Sequence, residues 1–275
     1  MTNQLLIEEN IRRHDKVAVH YDARHIEIYN PTEQSRLRGE LKNAFAAVTS
    51  SSPHILDFGC GTGNLTDKML DFGKELWATD VSTQMLQLLA RKHPKFVATN
   101  TLNTVALSGE FPLPFPDRHF SFVATYSVLH HLPDYLEAVR ELVRVLDKGG
   151  VLYIDHEANA NYWRSPFSLR MHRALVAPSY ALKRLLARIK SLFGDPEPPL
   201  LPPNERPILE EGDIHVYPDD CIEWNAIRAI ARENGLTPLP VEDYLLCRET
   251  SRFPLRYWFC RLFTDDTGIY VGYKK

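Results

Sequence analysis

Residues 57–63 read Asp-Phe-Gly-Cys-Gly-Thr-Gly, directly after the run His54-Ile55-Leu56. Glycine loses the most backbone freedom on folding, so three of them at every second position mark a backbone that something approaches closely. The loop falls between a strand and a helix, where an open parallel sheet binds its ligands. Asp80 ends the next strand-like run, 17 residues after Gly63. A carboxylate there can accept both hydroxyls of a ribose. A glycine loop with a ribose-binding acid implies an adenosine-containing cofactor, and two classes compete for it. A dinucleotide site has Gly-x-Gly-x-x-Gly and sets its pyrophosphate at a helix N-terminus. Here the spacing is Gly-x-Gly-x-Gly, and Asp57 stands just before it. That carboxylate repels a pyrophosphate but suits a cation. S-adenosylmethionine carries an ammonium and a sulfonium and no phosphate, so charge favours it over NAD.

The elements that must hold these residues follow from pattern. Residues 3–20 and 32–49 have helical spacing, with Leu37, Leu41, Phe45 and Val48 along one face of the second and Pro31-Thr32 at its start. From residue 53 strands alternate with helices: "HILDF", the helix "NLTDKMLDFG", "ELWATD", the helix "STQMLQLLARKH", then "KFVAT" as third strand. A long loop leads to "FSFVATYS", the helix "DYLEAVRELVRVLDKGG" and the fifth strand "VLYIDHE". A helix "PDDCIEWNAIRAIARENG", a strand near "PLPVEDYLLC" and a terminal strand "TGIYVGYKK" complete the chain. Alternation of this kind predicts an α/β fold: a Rossmann-like, seven-stranded, mostly parallel sheet with helices on both faces, preceded by N-terminal helices. The boundaries expected are a helical segment 1–50, a sheet domain of 51–157 and 218–275, and a helical, proline-rich insertion 158–217 after the fifth strand.

Bulk properties exclude several classes. The chain has 275 residues, enough for a substantial core, and a net charge of −3 that gives no case for nucleic acid as a partner. Cys60, Cys221, Cys247 and Cys260 lack paired close spacing, which suits reduced thiols better than a disulfide frame or a zinc site, and no metal site is expected. The N-terminus is charged too early for a signal peptide, and no stretch reaches the roughly 18 apolar residues of a membrane span. A cytoplasmic protein is expected.

The segments "ILDFGCGTGNLT", "ATDVSTQML", "FPDRHFSFVATYSVLHHLPD" and "LDKGGVLYI" resemble, in order and spacing, the motifs of class I S-adenosylmethionine-dependent methyltransferases. They look most like the small-molecule group that includes quinone and natural-product methylases (methyltransferase type 11). The similarity covers roughly residues 53–157, with Tyr21-Asp22 like the family's "YD". The resemblance implies that Asp57, Gly59, Cys60 and Gly61 line the methionine part of the cofactor and that Asp80 holds the ribose. It sets Val81 and Met85 beside the adenine, and Tyr126 and Tyr21 against the cofactor. Asn100, followed by Thr101, stands where the family usually has an Asp for the adenine amino group; Ser121 and Lys148 depart from the family's usual Asp and Pro. The reaction implied is methyl transfer to a small molecule (a natural product, saccharide, quinone or lipid-like acceptor), expected at oxygen, leaving S-adenosylhomocysteine. Alternatives are a methyltransferase acting on protein or nucleic acid, and a cofactor-binding protein without catalysis.

Methyl transfer needs alignment more than side-chain chemistry, because the sulfonium is already activated; alignment can supply about 7–11 kcal/mol. A base matters only for a protonated acceptor. His131 after the fourth strand, and His156 and Glu157 at the end of the fifth, are the candidates. The insertion carries apolar residues Leu182, Leu185, Leu186, Ile189, Leu192 and Phe193 at helical spacing with basic residues between them. This is expected to be scaffold, a lid over the acceptor, or a peripheral membrane contact through 180–193. Tyr162, Trp163, Tyr217 and Trp224 are candidates for the acceptor pocket or for core.

Overall fold

The computed structural model describes residues 3–176, 212–248 and 255–275. Seven strands form one sheet: β1 (His54–Phe58), β2 (Glu75–Asp80), β3 (Leu102–Ala106), β4 (Phe120–Tyr126), β5 (Leu146–Ala158), β8 (Leu236–Pro238) and β9 (Thr267–Lys274). Between β5 and β8, β6 (Val216–Tyr217) and β7 (Asp220–Cys221) form a separate two-stranded hairpin. The sheet order is β3-β2-β1-β4-β5-β9-β8, and β9 alone runs opposite to the other six strands. The order reverses between β1 and β4. Strand ends diverge there, and the crevice beyond their carboxyl ends is the ligand site of such sheets.

Helices cover both faces because the central strands are apolar on both. On one face Ile55, Phe122 and Ala124 pack with Leu37 and Leu41 of α2 (Pro31–Ala46) and Leu86 and Leu89 of α3 (Thr83–Lys92). On the other, Leu56, Phe58 and Val123 meet Val139 and Leu142 of α4 (Tyr135–Val145) and Ile227 and Ile230 of the helix Trp224–Glu233. Neighbours in β1 and β4 thus point to opposite layers, the period of a strand buried on both sides. Side-chain caps set the helix starts: Asn30 accepts the Glu33 amide, Ser82 that of Met85 and Asp134 that of Glu137. The N-terminal helix α1 (Asn3–Val17) lies against α3.

The predicted elements stand with four corrections. "KFVAT" is not the third strand. Pro94 opens a short helix, Pro94–Ala98, at the first-turn position that proline favours, and the strand is Leu102–Ala106. The helix in 134–150 ends at Val145; Lys274 Nζ reaches the Val143 and Leu146 carbonyls, and Gly149 and Gly150 already belong to β5. The helix expected from residue 218 starts at Trp224, since Pro218-Asp219 forms the hairpin turn. The strand expected near 238–247 is β8 followed by a single bridge at Tyr244. Within the insertion the described residues form helices Ala160–Arg164 and Phe167–Val176. The basic run 180–193 and the proline-rich run 196–207 lie outside the described residues. Among the described residues no helix is long and apolar enough to cross a membrane.

Candidate functional site

Two adjoining clefts open at the carboxyl ends of β1, β4 and β5. The first, about 770 Å³ with the open solvent at its mouth included, is lined by Gly59–Thr62, Asp80, Val81, Met85, Leu107 and Tyr126, with Asn10, His14, Tyr21 and Tyr29 from the N-terminal segment. Asp80 is its acid. One carboxylate oxygen accepts the Gly61 amide and the other the Ser82 amide, each at 2.8 Å. A carboxylate has about four acceptor sites, so these bonds leave room for a ligand. Burial pushes the Asp80 carboxyl up from its ordinary range. Val81 and Met85 follow at the start of α3, held by the Ser82 cap.

The three glycines have three separate reasons. At Gly59 the backbone has φ +71°, and an added Cβ would lie 2.4 Å from Val128 Cγ2. At Gly63 it would lie 2.4 Å from Leu89 Cδ1. Only at Gly61, φ +51°, is there open space, and this is the residue that turns its amide to Asp80. The amides of Gly59 and Cys60 point at the Thr79 carbonyl instead. Packing therefore demands two of the glycines, and the cleft adjoins the third.

Asp57 lies beneath the loop and is absent from the cleft wall, which corrects its expected place there. It is buried, accepts the Thr66 hydroxyl at 2.6 Å on one oxygen, and has no partner on the other. Burial, with the nearby charges of Asp80 and Asp67 adding, pushes its carboxyl up to about 7. Asn100 and Thr101 are also misplaced by the sequence reading. They precede β3, at the end of the sheet opposite the cleft; Leu107, just after β3, lines the cleft. The error followed from taking 95–99 as the strand.

The second cleft, about 1110 Å³ with open solvent at its mouth included, shares Tyr21, Ile28, Ser127 and His131 with the first. His130, His156 and Glu157 line it from the strand ends, and Tyr162, Trp163, Asp213 and His215 from the insertion. Trp224 is core: it packs against Gly268 and donates to the Ala158 carbonyl. His156 sits at a bulge where β5 pairs with β9, with φ +65°, its ring stacked on Tyr126 at 4.5 Å. Neither ring nitrogen has a hydrogen-bond partner, and burial lowers its pKa, so the imidazole is neutral near pH 7. Glu157 is placed differently. Oε1 accepts the Val128 and Leu129 amides at 2.9 and 2.7 Å, and Oε2 meets His130 Nδ1 at 2.7 Å. Those contacts make it a positioning group for the turn after β4, not a free base. His131 stands between the clefts, edge-on to His14 at 4.9 Å, and burial lowers its pKa strongly.

A buried charge network sets this wall. Arg36 of α2 bonds Glu33 at 2.6 Å, Asp155 at 2.9 Å and the Tyr244 hydroxyl at 2.8 Å. Tyr126 donates to Glu33, and Tyr153 and Tyr244 donate to Asp155. The N-terminal segment is fastened separately: Asp22 takes the Thr62 hydroxyl and Lys92 Nζ. Sequence reading named Tyr21 but missed Asn10, His14, Ile28 and Tyr29. Helical periodicity gives a buried face, not which of its residues cover a cleft.

Residues 56–154 match the type 11 methyltransferase domain family. The chain carries a methyltransferase domain. The domain's loop, Asp80, β4 and the core of β5 all fall inside the match. An uncharacterized methyltransferase of Bacillus licheniformis is 35% identical over 133 residues, 46% of this chain and 57% of that protein. The ubiquinone/menaquinone biosynthesis C-methyltransferase UbiE of Laribacter hongkongensis is 31% identical over 103 residues, 36% of this chain and 41% of that protein. The chain thus spans about half the length of the curated relatives it matches. Among solved structures, the Streptomyces coelicolor A3(2) geranyl diphosphate C-methyltransferase, in complex with Mg2+, geranyl diphosphate and S-adenosylhomocysteine, superposes with a TM-score of 0.50 at 13% identity. The overlap covers 86% of this chain and 79% of that one, and the likeness is one of fold.

Proposed function

We propose that the protein transfers the methyl group of S-adenosylmethionine to a small molecule held in the second cleft. The observation that carries this is the pair of clefts meeting at Tyr21, Ser127 and His131 beside a methyltransferase-domain loop. Asp80 would take the ribose hydroxyls, Val81, Met85 and Leu107 the adenine, and Tyr126 and Tyr21 would flank the methionine part. The acceptor would enter past Tyr162 and Trp163, which line the second cleft with Asp213 and His215. His156, neutral and unpartnered, would accept a proton from a hydroxyl or phenol. Transfer to that oxygen is the first reading. Transfer to a ring carbon of a phenolic acceptor is the second, supported by the C-methyltransferase named among the relatives; both begin with loss of a hydroxyl proton. The net charge and the aromatic lining favour a small molecule over nucleic acid.

The test is calorimetry followed by an acceptor screen with methyl-labelled cofactor. S-adenosylhomocysteine should bind at micromolar Kd or tighter, about −8 kcal/mol, and NAD should not bind. Asp80→Ala should lose about 1.5–3 kcal/mol or more of that affinity. With an acceptor in hand, the labelled methyl's chemical shift separates oxygen from carbon. His156→Asn, which tolerates the positive φ, should lower turnover by about 10²–10⁴-fold with cofactor affinity intact. Binding of NAD in preference to S-adenosylhomocysteine would overturn the cofactor, and full turnover in His156→Asn would remove it as base.

A further inference from the structure

We propose that His130, His131 and Asp213 bind a divalent transition-metal cation, such as Zn2+, where the two clefts meet. Their ligand atoms all lie within 4.8 Å of one another. Asp213 Oδ1 stands 3.3 Å from His131 Nδ1 and 3.7 Å from His130 Nε2. Ligands at about 2.0–2.2 Å around a tetrahedral zinc ion stand about 3.3–3.6 Å apart, close to the two separations from Asp213.

Proton bookkeeping points the same way. Glu157 Oε2 is an acceptor 2.7 Å from His130 Nδ1, so that nitrogen carries a proton and Nε2, facing Asp213, is the ring's atom for a metal. The His131 ring is hydrogen-bonded by the Gly212 carbonyl, while its Nδ1 is buried with no hydrogen-bond partner. The carbonyl therefore takes the proton on Nε2, and Nδ1 presents its lone pair to Asp213 as well. Two imidazole nitrogens and a carboxylate oxygen converge on one point, and a metal cation there would be met by all three.

The surroundings are those of a built site. Metal-bound histidines commonly donate their second N–H to a carboxylate, which fixes the ring and raises its basicity. Glu157 does this for His130 and is itself anchored by the Val128 and Leu129 amides. Asp213 comes from the returning end of the insertion, where the Ile214 and His215 amides both bond the His130 carbonyl. Two imidazoles with one carboxylate suit zinc, iron, nickel or copper over magnesium or calcium. Three protein ligands leave a position open, and His130, His131 and Asp213 all line the second cleft. An acceptor oxygen of phenolate, enolate or carboxylate type would fill it. That last role rests on reading the second cleft as the acceptor's; the metal site does not.

The experiment is titration of untagged, chelator-treated full-length protein with ZnCl2, read by calorimetry and by metal content after dialysis. One equivalent should bind tightly at micromolar protein. Asp213→Asn and His130→Ala should each weaken that equivalent by at least about 100-fold, and Glu157→Gln by about 10–100-fold. The chain has 11 histidines, so loss in these variants, and not stoichiometry alone, locates the ion. S-adenosylhomocysteine affinity, measured on Asp213→Asn, reports separately that the cofactor cleft is intact. Should the His130 variant fail to fold, wild-type protein loaded with Co2+ should show the strong visible absorption of a four-coordinate ion. Unchanged zinc binding in Asp213→Asn, or no tight equivalent and no such absorption in the wild type, overturns the site whatever the outcome with cofactor or acceptor.

Discussion

Asp57 illustrates how a single residue's chemistry depends on what surrounds it. Its place before the glycines suggested a contact with a cationic ligand. Tertiary packing instead seals it under the loop, with Thr66 on one oxygen and nothing on the other. Its folded pKa, raised to about 7, has a definite sign in stability. The folded state keeps a proton that the unfolded chain releases near pH 4. The stability this contributes is full below about pH 4 and is lost as pH rises through about 7. Asp57→Asn cannot titrate, so the stability difference between wild type and variant should shift by about 2–3 kcal/mol between pH 5 and 8. Denaturant unfolding at several pH values measures this, and parallel profiles for the two proteins would refute the assignment.

At the scale of elements, the glycine loop and the turn after β4 act as one unit. Gly59 accommodates Val128, and Val128 lies in the turn that Glu157 anchors. Gly59→Ala adds a methyl group 2.4 Å from the valine and imposes positive φ on an alanine. It should cost about 1–3 kcal/mol from overpacking, with further strain from φ. Combined with Val128→Ala, part of that cost should return as a coupling of about 0.5–3 kcal/mol. Thermal or urea unfolding of the double-mutant cycle reads the coupling, and strict additivity would show that the two residues do not share this contact. S-adenosylhomocysteine affinity should fall in Gly59→Ala, because Val128 lines the first cleft.

Across the whole molecule, the Glu33–Arg36–Asp155 network ties the helix preceding the sheet to the end of β5. Glu33 and Asp155 are fully buried, and Arg36 stands between them. Its neighbours place Tyr126 and Tyr244, and Tyr126 carries the His156 ring. Arg36→Met would leave two carboxylates buried without their cation, which typically costs about 3–5 kcal/mol. Adding Glu33→Gln should restore part of the loss by removing one of the stranded charges. Chemical denaturation of both variants at pH 7 tests this; a loss below about 1 kcal/mol would mean that the tyrosine hydroxyls alone satisfy the carboxylates. Cofactor affinity should drop with Arg36→Met, because Ile28 and Tyr29 just before α2, and Tyr126 bonded to Glu33, line the first cleft.

Local signals in the chain were enough for the sheet domain. Alternating apolar runs, the Pro31-Thr32 helix start and four motifs in register made β1, β2, β4, β9 and the helices between them legible, with Asp80, Val81, Met85 and Tyr126 on one cleft. These features depend on neighbours within a turn or a strand, so they can be read in one dimension. The third strand was misread where local cues conflict: Phe96 and Val97 favour a strand, and Pro94 starts a helix. Asn100 and Thr101 were misplaced with it. Tertiary structure alone decided that Asp57 is sealed beneath the loop, that Glu157 is occupied, and that Arg36 lies between two buried acids. It also brought Asp213 to His130 and His131 from more than 80 positions away. Contacts across such separations depend on how the elements pack against each other, and residue spacing carries no record of that packing.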